Sequence, residues 1–380
     1  MKKYIIPYLV FLFFVNCMAG RVKSKGIVDK VPEQAQSRLW YELLGHDSSW
    51  FGTQEALDIA RNVLLYQEVS GGWPKNIVFS QKVSAVEEER LMANTRSPES
   101  TIDNGATYTQ IRFLEKVFNS TRDPRFSDAA LRGIDFLLEA QYENGGWPQY
   151  YPLRKGYYSR ITFNDDAMAG VMRLLLDLVT NVAEFGFVDE GRREAAAHAI
   201  EKGIDCILRC QIEVDDTLTA WCAQHDETTY EPVKARSYEL PSLSGRESVG
   251  IVGFLMSIQN PDSNIVEAVQ SAVAWLDQVK IYNVRVVRNM DPEDGAILDK
   301  YIVTDSTAPP MWARFYEIGT NRPFFCNRDG RIHYSYSELT RERRKGYAWL
   351  GYWPLSLLEE KYPSWRKRWN PEYDVLENSK

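Results

Sequence analysis

Apolar residues recur three and four positions apart through most of this chain, the spacing that gives a helix one oily face. ALDIARNVLLYQ (56–67), YTQIRFLEKVF (108–118), ALRGIDFLLEAQ (130–141) and AMAGVMRLLLDLVTNVAEF (167–185) carry it. REAAAHAIEKGIDCILRCQ (193–211), IVEAVQSAVAWLDQV (265–279) and the segment around Met311 to Ile318 continue it. Start signals accompany the pattern. Ser127 precedes an acidic first turn, Asn264 has Glu267 three residues later, and Asp305 precedes Pro309 and Pro310. Strand signals are few, mainly YNVRVV (282–287). The pattern predicts an all-α chain.

One loop interrupts the helices at a fixed interval. QEVSGGWPKN (67–76) returns as QYENGGWPQY (141–150), and a degenerate copy runs from Gln211 to Trp221. Trp73, Trp147 and Trp221 follow one another every 74 residues, room for two helices and a long loop. Gly-Gly breaks a helix and admits close backbone approach, and Pro prevents its resumption. Three such helical hairpins closing in a ring make an α/α toroid, an incomplete barrel with its loops and a groove gathered at one end. GIDFLLEAQYENGGW (133–147) resembles the QW motif of triterpene cyclases, which joins helix ends in their toroids. The repeated loop therefore reads as a fastener first and a sugar platform second.

Composition adds a destination and a substrate class. The first twenty residues, MKKYIIPYLVFLFFVNCMAG, have a basic start and an apolar run too short to span a bilayer. They predict a signal peptide (1–19) cleaved after Ala19 and an exported protein, periplasmic or extracellular, or a surface form lipidated at Cys17. No later segment is apolar enough to cross a membrane. The net charge of −7 does not support a nucleic-acid partner. Aromatics make up 13% of the 380 residues, with 11 Trp and 21 Tyr, which suits either a core or rings stacked on sugar faces. Cys206, Cys210, Cys222 and Cys326 match no zinc spacing and read as buried thiols.

Polar clusters enter a helix after each loop: STIDNGATY with Asp103 and Asn104, ITFNDDAM with Asn164, Asp165 and Asp166, and LSGRESVG with Arg246 and Glu247. Helix capping explains one such acid per helix. It explains less well the adjacent Asp165 and Asp166, at a position taken as equivalent to Asp103. In a ring, equivalent helix starts converge, and carboxylates with an amide oxygen suit a hard cation such as Ca²⁺. Lys234, Arg236, His225, Tyr238 and Glu239 crowd the loop 221–248, and Arg314 and Arg328 follow. A solvated charge run is the ordinary reading of such a mix. Arg forks that match planar carboxylates make a polyuronate the competing one.

GGWPKN, TIDNGATYTQIRFL, GGWPQYYP, ITFNDDAM, ARSYELPSLSGRES and ARFYEIGTNRPFFCNRDG, in this order between about Trp50 and Pro354, resemble the family-10 pectate lyases. The resemblance implies a toroid with its groove across one end and Ca²⁺-dependent β-elimination on polygalacturonate, leaving a C4–C5 unsaturated product end. It implies that Arg236 is the base that takes the C5 proton. Asp103, Asn104 and Asp165 are similar to the calcium ligands, and Arg314 and Arg328 to the residues that hold substrate carboxylates. Lys75, Asn76 and Tyr238 are further substrate-binding candidates. Arg246 matches no functional position and stays outside the set. The expected organisation is an N-terminal extension (20–49), the lyase domain (50–360) and a tail (361–380), in a monomer. A non-catalytic polyuronate-binding surface protein, or a triterpene-cyclase-like toroid, are the competing readings.

Overall fold

The computed structural model describes residues 40–93, 99–293, 295–370 and 372–376. The helices that matter are α1 (Gln54–Tyr66), α2 (Ala85–Met92), α3 (Tyr108–Thr121), α4 (Pro124–Glu139), α5 (Ala167–Thr180), α6 (Glu190–Arg209), α7 (Glu247–Leu255) and α8 (Ser263–Gln278). Three hairpins form, α3 with α4, α5 with α6 and α7 with α8. The first helix of each hairpin neighbours the first of the next, and the second neighbours the second. That gives an inner row of α3, α5 and α7 and an outer row of α4, α6 and α8, with α1 packed on α3 and α4. Inner α7, ESVGIVGFL, is apolar around its whole girth, as a helix covered on every side must be. The fold is the expected all-α toroid.

The repeated loop is a fastener built from two side chains. At the ends of α1, α4 and α6 a Gln amide donates twice, once into its own loop and once to the next helix of the outer row. Gln67 donates to Gly71 O and Ala129 O, both at 2.8 Å. Gln141 donates to Gly145 O and Ala199 O at 3.0 and 2.9 Å, and Gln211 to Thr219 O and Ala268 O, both at 3.0 Å. Each Trp then folds back and its indole N–H donates to a carbonyl of the helix just left: Trp73 to Val63 at 2.7 Å, Trp147 to Leu137 at 2.8 Å and Trp221 to Ile207 at 2.7 Å. All three indoles are fully buried. Gly145, at φ 89°, passes so close to Lys202 that a Cβ would lie 2.0 Å from its carbonyl oxygen.

Several local expectations are corrected. Asp123, not Ser127, caps α4, because Pro124 occupies the first turn; the Ser127 hydroxyl donates to Pro124 O inside the helix. Asp262 rather than Asn264 caps α8, accepting from Ile265 N. Met311 to Ile318 is not helical. Trp312–Ala313 pairs with Leu350–Gly351, and Phe315–Tyr316 pairs with Leu243–Ser244. Partners distant in sequence satisfy this backbone, so tertiary pairing overrides the local periodicity. The strand at 282–287 is present as Val284–Met290, paired antiparallel with Ile297–Thr304.

The packed body includes residues at both ends of the described chain. Trp40 is buried against Phe79 and Phe113, and Tyr362 is fully buried in a last helix, Tyr362–Trp369. The four described cysteines are buried free thiols. Among the described residues no helix is long and apolar enough to cross a membrane. The expected signal segment and Cys17 lie outside the described residues.

Candidate active site

The three polar clusters stand in register because each is hung from a tryptophan. The carbonyls of Trp73, Trp147 and Trp221 accept from Thr101 N at 3.1 Å, Thr162 N at 3.0 Å and Ser244 N at 2.8 Å. Counting onward from these anchors gives three equivalent pairs: Asp103 and Asn104, Asn164 and Asp165, Arg246 and Glu247. The expected equivalence is thus off by one, since Asp165 matches Asn104. Backbone geometry agrees. Asn104 (φ 53°) and Asp165 (φ 50°) both adopt the left-handed conformation that Asn and Asp tolerate better than other side chains.

A fourth tryptophan completes the pattern. Trp312 donates its indole N–H to Leu276 O at 2.7 Å, as the other three do to their helices. Two residues past each tryptophan stand Lys75, Gln149, Ala223 and Arg314. Lys75 and Arg314 are therefore the same position in different copies, and both turn inward. Lys75 pairs with Asp103 Oδ2. Arg314, 3% exposed, donates to Asp165 Oδ1 at 3.0 Å and Glu247 Oε1 at 2.5 Å. Arg246 also pairs with Asp165 Oδ1, and reaches Glu247 Oε1 at 3.0 Å. Arg246 and Glu247 belong to this centre although sequence reasoning left them out. Their signal was the LSGRES cluster itself, read without its register.

Electrostatics follow from burial and these neighbours. Burial pushes the Asp103 carboxyl up, and Asp165 adds to the rise against the pull of Lys75 and Arg236. Asp165 and Arg236 thus each lie within electrostatic reach of Asp103. Burial alone would raise Glu247, but Arg314 and Arg246 outweigh it and hold the carboxyl below its usual range. Three buried oxygens here make no hydrogen bond: Asp103 Oδ1, Asn104 Oδ1 and Asn164 Oδ1. Asn104 instead uses its amide N–H on Asn76 Oδ1 at 3.1 Å. An unsatisfied buried oxygen is costly and calls for a partner. Among the described residues no three His, Cys, Asp or Glu side chains come together at metal distance. The oxygen set is mixed, carboxylate with amide, and such hard donors fit Ca²⁺.

Arg236 approaches from the long loop, held by its own neighbour. Buried Glu239 accepts from Arg236 Nε and Nη2 at 2.7 Å each and from Arg236 N at 3.1 Å. Tyr347 Oη donates to Glu239 at 2.6 Å, and the Arg236 guanidinium lies 5.3 Å from the Tyr238 ring. Tyr238 is buried in an aromatic cluster with Tyr347 and Trp349, behind the cavity lining rather than in it. Arg328 stands further out, exposed and paired with Glu342 at 2.9 Å, with its guanidinium 5.8 Å from Tyr238. His225 is a buried neutral imidazole. Its pKa is lowered to about 4 by burial, Nδ1 lies 2.7 Å from Tyr230 O, and Nε2 accepts from Cys222 N. Neither nitrogen is available for base chemistry. A cavity of about 640 Å³ opens over the centre, lined by Asn104, Asp165, Arg246 and Arg314 and walled by Tyr347 and the strand pair at 284–304.

Comparison with known proteins gives the family and the fold. The pectic acid lyase family matches residues 67–358. A mutant of the family 10 polysaccharide lyase from Cellvibrio cellulosa, in complex with trigalacturonic acid, superposes with a TM-score of 0.73. It is 32% identical, over 90% of this chain and 100% of that one. The family 10 polysaccharide lyase from the same organism gives 0.72 at 33% identity, over 90% and 98%. No curated protein matches the chain.

Proposed function

The chain belongs to the pectic acid lyase family, and from that premise we propose that it cleaves α-1,4-linked polygalacturonate by Ca²⁺-dependent β-elimination in the 640 Å³ cavity. The observation that carries the proposal is the set of partnerless buried oxygens of Asp103, Asn104 and Asn164 beside Asp165, with guanidinium groups around them. The bound trigalacturonic acid of the related lyase supports a uronate as the ligand.

Asp103, Asn104 and Asp165 would hold the cation, and Asn164 is added to that set by its partnerless oxygen. When bound, Ca²⁺ neutralises the uronate carboxylate and so makes the adjacent C5 proton more acidic. Arg314 and Arg246 present planar N–H forks to a carboxylate, Arg328 waits at the rim, and Lys75 with Asn76 edges the oxygen cluster. Arg236 takes the C5 proton; the C5–H electron pair forms the C4–C5 double bond as the C4–O bond breaks, and the departing oxygen takes a proton from solvent water. Arginine is an ordinary base only when strongly alkaline conditions or neighbouring cations assist it. The reaction is therefore expected to run fastest at high pH. Export is proposed from the first twenty residues, and the working unit is proposed to be a monomer.

Ultraviolet absorbance of the unsaturated product, with and without a chelator, tests the reading. Polygalacturonate with Ca²⁺ should give rising absorbance that the chelator stops, and Arg236→Ala should abolish turnover while keeping oligogalacturonate binding within roughly tenfold. Normal turnover in Arg236→Ala removes the base assignment. Binding without any absorbance change favours a non-catalytic polyuronate-binding protein.

A further inference from the structure

The strand pair Val284–Met290 and Ile297–Thr304 has no counterpart in the repeated helical unit, yet its Val286, Arg288, Ile297 and Lys300 line the same cavity as Asp165 and Arg314. Arg288 and Lys300 stand directly opposite each other in the ladder, so both side chains leave the same face. Like charges in that arrangement destabilise a sheet. Lys300 is also 9% exposed, and its ammonium has one long contact, 3.4 Å to Tyr347 O. Burial, and then Arg288, lower its pKa from the ordinary lysine value. Lys345 lines the cavity as well.

Among the described residues, the nearby acids either lie outside the cavity or are committed to other cations. Asp299, next to Lys300, pairs with Arg344 at 2.6 Å. Asp291 and Glu293, in the turn of the hairpin, are not among the cavity's lining residues. Asp165 does line it, and already carries Arg246 and Arg314. Among the described residues no carboxylate pairs with Arg288, Lys300 or Lys345. A buried ammonium facing a guanidinium across a sheet is an arrangement that an incoming anion would stabilise.

We propose that Arg288 and Lys300, with Lys345, form a second carboxylate subsite on the hairpin wall, which grips a galacturonate unit of the same chain away from the one undergoing elimination. The proposal rests on the polygalacturonate reading above. It adds a specificity element that the helical repeat does not supply: an uninterrupted run of free carboxylates is favoured over a chain whose acids are esterified at that spacing.

The test is the double variant Arg288→Ala, Lys300→Met, assayed by product absorbance on polygalacturonate, with its melting temperature measured alongside. Loss of two charge-assisted contacts should raise KM roughly tenfold or more while kcat stays within about twofold. Lys300→Arg should retain near-normal KM. The melting temperature should hold or rise, because a like-charge pair has been removed. An unchanged KM overturns the subsite. A lowered melting temperature also overturns it, since the pair would then be a structural strut. Should the unmodified protein fail to cleave polygalacturonate at all, the lyase reading falls alone. Calorimetry of oligogalacturonate binding to unmodified and double-variant protein then decides the subsite, with equal affinities counting against it.

Discussion

Replacing Glu239 by Gln probes the assignment of Arg236 more sharply than removing the arginine. Glu239 is buried, holds Arg236 through two side-chain contacts of 2.7 Å, and accepts a third from Tyr347. A carboxylate in this position favours the guanidinium cation over the neutral guanidine that would accept a proton. At about 4 Å between charge centres the attraction is about 4 kcal/mol for an effective dielectric of about 20. The Arg236 side chain is 28% exposed, which discounts that figure. A working value of about 1.5–3 kcal/mol corresponds to about one to two pH units. Glu239→Gln should therefore shift the alkaline-rising limb of kcat to lower pH by that amount. The plateau should fall, because an amide presents one acceptor where the carboxylate presented two and no longer fixes the fork. The assay is product absorbance at saturating polygalacturonate from pH 7 to 11. A limb that stays in place beneath a lower plateau would mean that Glu239 only positions Arg236 and that another group takes the proton. A limb that moves upward would contradict the sign of the argument itself.

Two further predictions address the scaffold. Burial raises the pKa of Glu115 to about 7, so between about 4.5 and 7 the folded chain binds more protons than the unfolded one and stability falls as pH rises. Glu115→Gln, which keeps an acceptor for Asn119, should match the unmodified protein near pH 4.5 and exceed it by roughly 1–3 kcal/mol at pH 8; a difference that does not change with pH would refute this. Gly145→Ala and Gly156→Ala compare two glycines at nearly the same φ, 89° and 90°. A Cβ meets Lys202 O at 2.0 Å at the first and nothing within 4 Å at the second. Urea unfolding should show about 1 kcal/mol lost at Gly156 and about 1–3 kcal/mol more at Gly145, and equal losses would deny the fastener its close contact.

The contrast between what could and could not be read in the chain has a physical cause. The Gln and Trp of the fastener are legible because Gln67 and Trp73, and again Gln141 and Trp147, stand six residues apart around a Gly-Gly pair, and each indole reaches back ten residues into the helix just left; the third copy, with Trp221 reaching back fourteen, is correspondingly fainter. Trp312 makes the same indole contact to Leu276 but follows Pro309 and Pro310 without a Gly-Gly pair, so its segment carries a helical signature in sequence although it pairs as strand. The polar clusters hang from Trp73, Trp147 and Trp221 through loops of unequal length, reaching Thr101, Thr162 and Ser244 respectively. Unequal loops erase periodicity, which is why Asp165 was set against Asp103 rather than Asn104 and why Arg246 and Glu247 had no place. Only the hydrogen bonds from those backbone N–H groups restore the register. Once restored, it makes a chemical demand visible: buried Asp103 and Glu247 and half-buried Asp165 each stand beside a cation from the Trp-plus-two position or from the neighbouring cluster. Buried acids at one mouth repel one another unless cations are interleaved with them, and a fold that repeats its loops delivers both signs to the same place. The oxygens left without hydrogen bonds at that mouth are what the repeat does not satisfy by itself, and they mark where ligand chemistry begins.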